Sequence, residues 1–179
     1  MSLFRMPNTI MQNFRVGMDR DVPEFIEIDS TLGYVLNIGG GKKRIEGTFL
    51  LDANMGWLAP HIPFDNESVV GIYAYHFFEH LGKELLLKTL IECERVLIKG
   101  GVINLVVPWA KSSMAFQDLD HRTFFTEDTF KELFKNAYYG GASIYGQDGP
   151  HEWKLDCRSC MLMGITERNI AVVAQLEKV

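Results

Sequence analysis

The sequence predicts an α/β fold with a mostly parallel sheet, helices on both faces and an antiparallel strand at the C-terminal edge of the sheet. Three observations lead to this prediction. Short apolar runs, typical of strands buried on both faces, alternate with segments of helical periodicity. Glycine pairs, or a proline, mark the ends of several of these segments. The 179 residues are interpreted as one domain, 1–179, because such a chain buries roughly 70% of its unfolded surface in a single core.

The first part of the chain holds one weakly patterned segment and two clear strands. Residues 1–30 are expected to form an N-terminal lid or cap, with a short helix capped by Thr9 and a short strand at 25–29. The apolar runs at 34–38 and 48–52 then predict two strands of the sheet.

The middle of the chain continues the alternation. A third apolar run begins at Ser68, and segment 84–97 has apolar residues at helical steps of three and four. Gly100 and Gly101 are predicted to end this helix. The next run, 102–109, predicts a fourth strand.

The C-terminal part predicts one more helix and two strands. Thr126 is a suitable N-cap, with the acidic Glu127 and Asp128 in the first turn, where the helix dipole favours negative charge. The buried face of this helix is predicted to consist of Phe130, Leu133, Phe134 and Ala137, and its end is set by Gly140-Gly141. Strands are expected at 142–147 and 169–178, with an antiparallel arrangement at this edge.

Several positions that suit ligand binding directly follow the predicted parallel strands, so they should meet at one edge of the sheet. They are Gly39–Gly41, Asp52, the region 75–77 and Pro108-Trp109. Glycines let the backbone approach a ligand closely, and a carboxylate such as Asp52 can accept hydrogen bonds from both hydroxyls of a ribose. A tight turn at the glycines and a turn-capping role for Asp52 are alternative interpretations.

Further motifs make the sequence similar to the class I S-adenosylmethionine-dependent methyltransferases, and in particular to the small type 11 group. The matching motifs are Ile62-Pro63-Phe64 with 65–68, Phe78-Glu79-His80-Leu81, Glu94-Arg95-Val96-Leu97 with Lys99-Gly100-Gly101, and the histidine-containing segment 121–125. The resemblance covers about residues 34–137. It departs from the family pattern at Asn37 and Gly40, where an acidic or small residue and a cysteine are usual, and it lacks the proline of the family's Lys-Pro-Gly-Gly motif.

This resemblance implies a Rossmann-like fold, with S-adenosylmethionine as cofactor and S-adenosylhomocysteine as product. The cofactor-binding residues that it implies are Asn37, Gly39, Gly40, Gly41, Asp52, Ala53, Asn54, Tyr75 and His76. Gly39 and Gly41 would line the methionine and ribose parts, and Asp52 would hold the ribose hydroxyls. Tyr75 and His76 would face the sulfonium, which an aromatic ring attracts through cation–π interaction. Core packing explains an aromatic residue at such a position equally well.

A hydroxyl acceptor would also need a base to take its proton. Among the five histidines, His121 is the first candidate, because Asp120 and Arg122 flank it after the fourth strand. His76 is the second candidate. A loop hydrogen bond is an equally good explanation for His121, and Glu79-His80 is expected mainly to orient its own loop.

The methyl acceptor is expected to be a small molecule, a glycan sugar or a lipid-linked intermediate. The net charge of −5 lacks the basic field of nucleic-acid binders, and the sequence motifs of base-modifying methyltransferases are absent. A catalytically inactive module that binds S-adenosylmethionine is the main alternative. A nicotinamide-dependent oxidoreductase is disfavoured, because its acidic residue would lie about 20 positions beyond the glycines.

The remaining features predict no metal and no membrane span. Cys157 and Cys160, with His151 nearby, have the spacing of half a zinc site, but a single pair is a weak signal. Three cysteines favour a reducing compartment. No apolar run reaches the roughly 20 residues that cross a bilayer, and no signal-peptide pattern is present. A cytoplasmic protein is therefore expected, and the sequence predicts no oligomeric state.

Overall fold

A computed structural model of the chain describes residues 3–4, 28–41, 45–135, 151–166 and 169–179. Its main feature is a six-stranded sheet with the order β4-β3-β5-β6-β8-β7. In chain order the strands are β1 Leu3–Phe4, β2 Ile28–Asp29, β3 Tyr34–Ile38, β4 Phe49–Leu51, β5 Val69–Tyr75, β6 Leu97–Pro108, β7 Leu155–Thr166 and β8 Asn169–Lys178. The first two form a separate antiparallel pair.

The sheet is parallel on one side and antiparallel on the other. β3 pairs in parallel with β4 and with β5, and β5 pairs in parallel with β6. β8 is antiparallel to both β6 and β7. The predicted mostly parallel Rossmann-like sheet with an antiparallel C-terminal edge is therefore confirmed. The described helices lie on one face of this sheet, so the predicted presence of helices on both faces stays a prediction.

Two helices, α1 Lys83–Val96 and α2 Thr129–Lys135, pack on one face of this sheet. Their apolar residues share one core with alternate residues of the strands, because successive side chains of a strand point to opposite faces. Leu36 and Ile72 belong to this core, whereas Val35 and Tyr73 belong to a smaller core on the opposite face, which Ile28 also covers.

The observed boundaries correct several predictions. α1 ends at Val96 and β6 begins at once with Leu97, so Gly100 and Gly101 lie inside the strand and not at the helix end. Gly100 has a φ of 78° there, and β6 changes register against β5 in this region. The strand therefore contains a bulge, for which a glycine with positive φ is suited.

α2 begins at Thr129, three residues beyond the predicted cap Thr126. The reason is a local turn, in which the Thr126 N–H donates to Thr129 Oγ1 at 2.8 Å and the Thr129 N–H donates to the Thr126 carbonyl at 3.1 Å. Strand β7 at 155–166 was not predicted. The predicted Thr9 helix, the strand at 142–147, Ala137 and Gly140-Gly141 lie outside the described residues.

The predicted lid at 1–30 also falls largely outside the described ranges, which show only that Leu3–Phe4 pairs with Ile28–Asp29. Within the described ranges, neither helix combines the length and the apolar character that a bilayer-spanning segment needs.

Candidate functional site

The carboxyl ends of β3 and β4 meet as predicted, and the buried Asp52 joins them. The Gly39 N–H donates to the Leu51 carbonyl at 2.8 Å, and the Gly41 N–H donates to Asp52 Oδ2 at 2.8 Å. Asp52 Oδ1 accepts from the backbone N–H of Asn54 at 2.9 Å and from its side-chain amide at 2.8 Å. One carboxylate therefore braces the glycine loop and caps the short turn Ala53–Met55 at the same time.

The backbone conformation and the surroundings require a glycine for a different reason at each of the three positions. At Gly39, where φ is 65°, an added Cβ would overlap the ring of Phe77. At Gly40, an added Cβ would lie 2.5 Å from the side-chain nitrogen of Asn37, which is itself buried. At Gly41, where φ is 58°, an added Cβ would meet no atom of the described residues within 4 Å. Of the predicted cofactor glycines, Gly41 is thus the one whose side-chain position opens into free space.

Phe77 lies in the predicted ligand-binding region 75–77, although it was not among the residues predicted to bind the cofactor. It follows β5 and covers Gly39, and its ring packs against Trp57 at a centroid distance of 5.8 Å and against Phe78 at 5.3 Å. The sequence shows an aromatic residue at the end of a strand, but only the sheet order shows that this strand is the neighbour of β3 and brings the ring to Gly39. Ala53 and Asn54, by contrast, are exposed beside Asp52, where they were predicted.

Tyr75 is partly buried and packs against the core on the second sheet face. Its ring packs against Tyr73 at 5.7 Å, and its hydroxyl is buried without a hydrogen-bond partner among the described residues. Burial, together with the neighbouring Tyr73, raises the pKa of Tyr75 far above its ordinary value. Packing alone accounts for this aromatic residue, and its predicted contact with a cofactor stays a prediction.

His76 directly follows β5 and forms a pair with Glu79. Its φ of 55° is unusual for a residue with a side chain, and such strain concentrates at functional sites. His76 Nδ1 lies 2.9 Å from Glu79 Oε1, and the two side chains are 42% and 1% exposed, respectively. A buried carboxylate thus orients a solvent-facing imidazole. In the tautomer in which Nδ1–H donates to Glu79, Nε2 is left as a proton acceptor.

His121 lies near Glu79, although 42 residues separate them in sequence. The backbone N–H groups of Arg122 and Thr123 both donate to the Glu79 carbonyl, at 2.7 and 3.1 Å. Thr123 Oγ1 donates to the Leu81 carbonyl at 2.6 Å. This docking places the His121 ring edge-on to the ring of His80, with centroids 4.9 Å apart. His121 Nδ1 lies 3.0 Å from the Ala115 carbonyl, so the predicted loop hydrogen bond exists.

The loop around His121 exposes large apolar side chains. The rings of Phe116 and Phe124 stack with centroids 4.9 Å apart, although they are 63% and 46% exposed, and Leu119 is 98% exposed. Such a patch is typical of a surface that contacts a ligand or a partner.

Cys157 and Cys160 are free thiols on strand β7. A hydrogen bond between them lowers the pKa of Cys157 and raises that of Cys160. His151, the third residue of the weak zinc pattern, pairs instead with Glu94, with Nε2 3.2 Å from Oε1. Among the described residues, these two cysteines and this histidine therefore do not form a three-ligand metal set.

Comparison with known families and structures agrees with this architecture. Residues 42–105 match the methyltransferase domain family. The match begins just after the three glycines; it contains Asp52, His76 and Glu79 and ends before His121. The chain has no match among the curated proteins.

Solved structures with the same fold include three informative cases. An S-adenosylmethionine-dependent methyltransferase from Methanosarcina mazei is 12% identical, with a TM-score of 0.57 and coverage of 82% of this chain and 92% of that chain. A Burkholderia thailandensis 1,6-didemethyltoxoflavin-N1-methyltransferase, solved with 1,6-didemethyltoxoflavin and S-adenosylhomocysteine, is 13% identical, with a TM-score of 0.55 and coverage of 82% and 71%. The [4+2]-cyclase SpnF is 9% identical, with a TM-score of 0.52 and coverage of 82% and 75%.

At these identities the structural likeness establishes the fold, and a single fold can support several chemistries. The family match adds the class of domain. Together they confirm the predicted resemblance to the class I S-adenosylmethionine-dependent methyltransferases.

Proposed function

We propose that this chain, which carries a methyltransferase domain on a class I fold, transfers a methyl group from S-adenosylmethionine to a hydroxyl of a small-molecule or glycan-type acceptor. The observation that supports it best is the conjunction at one sheet edge of the Asp52-braced glycine loop and the His76–Glu79 pair. The glycine loop with Asp52 is suited to bind a nucleoside, and the His76–Glu79 pair is suited to remove a proton from the acceptor.

Asp52 retains room for a ligand. A carboxylate offers about four acceptor positions, and the two oxygens of Asp52 receive three donors among the described residues, from Gly41 and Asn54. One position is left for a ribose hydroxyl, on Oδ2 by this count. Gly41 contributes open space at the same point. When bound, the cofactor supplies a methyl group on a positively charged sulfur. The chain contributes alignment and exclusion of water.

His76 is the residue that we propose as the base. Glu79 fixes its Nδ1 side, and the side chain is 42% exposed, so an acceptor hydroxyl can donate to Nε2. The arrangement resembles the orienting carboxylate of a catalytic triad in its roles. His121, the other candidate, has Nδ1 against the Ala115 carbonyl and its ring beside His80, so it is less free to turn toward an acceptor.

The exposed stack of Phe116 and Phe124 supports an acceptor that carries a flat or apolar face, such as an aromatic ring or a sugar ring. The net charge of −5 disfavours a polyanionic acceptor. Both observations agree with a small molecule or a glycan and do not favour a nucleic acid.

Calorimetric titration with S-adenosylhomocysteine tests the cofactor, and an acceptor screen with radiolabelled methyl groups tests the reaction. We expect binding of one equivalent and, for an accepted hydroxyl compound, turnover that His76→Ala lowers about 10²- to 10⁴-fold in kcat. KM for the acceptor should change little. Lys111→Ala, which alters an exposed residue of the loop after β6, is the control. Absence of binding by folded protein would overturn the proposal, and normal kcat in His76→Ala would remove the base.

One observation favours a second candidate, a module that binds the cofactor without transferring its methyl group. The Phe77 ring covers Gly39, which was predicted to line the methionine part. Substitution of Phe77 with alanine should strengthen S-adenosylhomocysteine binding if the ring obstructs the site. Under this second function, the wild-type chain would bind the ligand and show no turnover with any acceptor in the screen.

A further inference from the structure

Glu79, His80 and His121 form a cluster of potential metal ligands, and the proposed methyl transfer uses only the contact of Glu79 with His76 from this cluster. Each offers one ligating atom, and the three atoms lie within 4.8 Å of one another. Glu79 is buried, and the two histidines are partly exposed. Among the described ranges, this is the one group of three or more such residues. Glu79 and His80 come from the turn after β5, and His121 comes from the loop after β6.

A second observation at the same place points to a ligand. The Glu79 side chain is 1% exposed, and His76 occupies its Oε1. Its Oε2 is buried and has no hydrogen-bond partner among the described residues. A buried carboxylate oxygen without a donor is costly, and a cation would satisfy it. The ring nitrogens of His80 also make no hydrogen bond within the described ranges.

The surroundings match those of known metal ligands. A ligating histidine usually donates its other ring N–H to a backbone carbonyl or a carboxylate, which fixes the tautomer. His121 Nδ1 faces the Ala115 carbonyl at 3.0 Å, which leaves Nε2 free to bind. Ligating carboxylates are themselves hydrogen-bonded, and His76 supplies that contact to Glu79 at 2.9 Å.

We propose that Glu79, His80 and His121 bind a divalent first-row transition ion, with Zn²⁺ as the best fit. Two imidazoles and one carboxylate are a ligand set that zinc uses with an open fourth position. Tetrahedral ligand atoms about 2.1 Å from zinc lie about 3.4 Å from one another. The three ligand atoms lie within 4.8 Å of one another here, so small side-chain rotations bring them to the distances that zinc requires. Magnesium and calcium prefer all-oxygen sites. The partial exposure of both histidines leaves the open position accessible to water or to an acceptor.

The test is a binding measurement that does not depend on turnover. The full chain, free of any affinity tag, is stripped with a chelator, dialysed and titrated with ZnCl₂ by calorimetry. Thermal unfolding is recorded with and without the ion, and Co²⁺ absorption reports the coordination number. We expect one equivalent of Zn²⁺, a rise in Tm, a four-coordinate Co²⁺ spectrum and no comparable binding of Mg²⁺.

Substitutions of the proposed ligands test which side chains bind the ion. His121→Ala and His80→Gln should each weaken Zn²⁺ binding by at least about tenfold. Two controls should bind as the wild type does: Cys157→Ser/Cys160→Ser, which removes the competing thiols, and His61→Ala, which removes a histidine whose side chain is 77% exposed. Circular dichroism checks the fold of each variant. If His121→Ala does not fold, the affinity of the His80→Gln variant for Zn²⁺ tests the site.

Three results would overturn the assignment. They are failure of the folded wild type to bind one equivalent, unchanged affinity in both histidine variants, and loss of binding in the cysteine double variant. Equal affinity for Mg²⁺ and Zn²⁺ would overturn the choice of ion. Since none of these measurements uses a methyl acceptor, the metal site can fail while the methyltransferase proposal stands, and the reverse also holds.

Discussion

At the scale of single residues, Asp52 shows how one side chain serves both structure and a ligand. Its carboxylate is 7% exposed and holds two segments that follow different strands, the glycine loop after β3 and the turn after β4. Because these hydrogen bonds use a charged acceptor, each is worth more than a neutral one. The glycine loop and any nucleoside bound beside it therefore depend on the same charge.

Asp52→Asn tests this dependence. The amide keeps one acceptor oxygen and replaces the other with a donor, so either Gly41 or Asn54 loses its acceptor. A hydrogen bond to a charged group contributes about 1.5 to 3 kcal/mol, so we expect about 10- to 100-fold weaker binding of S-adenosylhomocysteine by calorimetry and a lower Tm. Asp65→Asn, at an exposed position without a side-chain hydrogen bond in the described structure, is the matched control. Equal affinity in the Asp52 variant and the wild type would refute its role at the ligand.

Asp52 and the glycines could be predicted as candidate site residues because each directly follows an apolar run, which is visible in the sequence itself. Their partners were harder to predict. Phe77 contacts Gly39 only because β5 lies beside β3 in the sheet, and this neighbour relation is a property of topology. Glu79 was predicted only to orient its loop. Its burial and its unpaired oxygen depend on the loop that packs above it.

At the scale of elements, Arg95 explains why two of the family-like motifs occur together. From α1, its guanidinium donates to the carbonyls of Ile62 and Phe64 at 2.8 and 2.9 Å, and to Asn66 Oδ1 at 2.8 Å. Glu92 holds the guanidinium in place and also accepts from the Ile62 N–H at 3.0 Å. The helix thereby fixes the irregular segment 62–66, which leads into β5 and so to His76.

This ion pair predicts a pH dependence of stability. Hydrogen bonds from Arg95, and then from the Ile62 N–H, lower the pKa of Glu92 below its ordinary value. A group whose pKa is lower in the folded state adds stability above its unfolded pKa of about 4.3, and this contribution is lost as the pH falls through the folded value. We expect Glu92→Gln to cost about 1 to 2 kcal/mol at pH 7 and progressively less between pH 5 and pH 3, measured by urea unfolding.

The exposed pair of Glu84 and Lys88 on the same helix provides the control for Glu92. Their side chains are 64% and 41% exposed, and such surface pairs contribute little. Glu84→Gln should change the free energy of unfolding by no more than a few tenths of a kcal/mol at any pH. A pH-independent cost of Glu92→Gln would show that the charge of Glu92 is not the source of its stabilising effect.

Element types were predictable where apolar periodicity was strong, as in α1 and β5, whereas boundaries were set by contacts that the sequence does not display. The start of α2 depends on the turn between Thr126 and Thr129. β7 escaped prediction because, among the described strands, it lies at the edge of the sheet and pairs with β8 alone. Half of an edge strand faces solvent, so polar residues such as Asp156 and Arg158 interrupt the apolar pattern.

At the scale of the whole molecule, the candidate site lies on the parallel half of the sheet, and the antiparallel strands complete the hydrophobic core. Glu94 of α1 joins the two halves. Its side chain is 8% exposed, with Oε1 3.2 Å from His151 Nε2, and Oε2 accepts from the Lys154 N–H at 2.7 Å. Lys154 directly precedes β7, so this buried carboxylate anchors the start of the edge strand to a helix that packs on the parallel strands.

Glu94→Ala should therefore loosen the antiparallel edge more than the candidate site. The variant leaves the His151 ring and the Lys154 N–H without their acceptor, which costs about 1 to 3 kcal/mol for each buried polar group. We expect a loss of about 2 to 3 kcal/mol in the free energy of unfolding and a Tm lower by about 5 to 10 °C. Native-state hydrogen exchange should accelerate for the backbone amides at the N-terminal end of β7. The amides of β3 and β5 should still exchange only through global unfolding of the protein.

Glu94→Gln and Glu84→Ala separate the buried contact from a general effect on the helix. The glutamine keeps one acceptor, so its cost should be smaller than that of alanine. Glu84 is on the exposed side of the same helix, so its replacement should leave β7 exchange unchanged. If Glu94→Ala accelerated exchange equally in β5 and β7, the anchor would serve the whole sheet. The inference that Glu94 stabilises the start of β7 more than it stabilises the parallel strands would then be wrong.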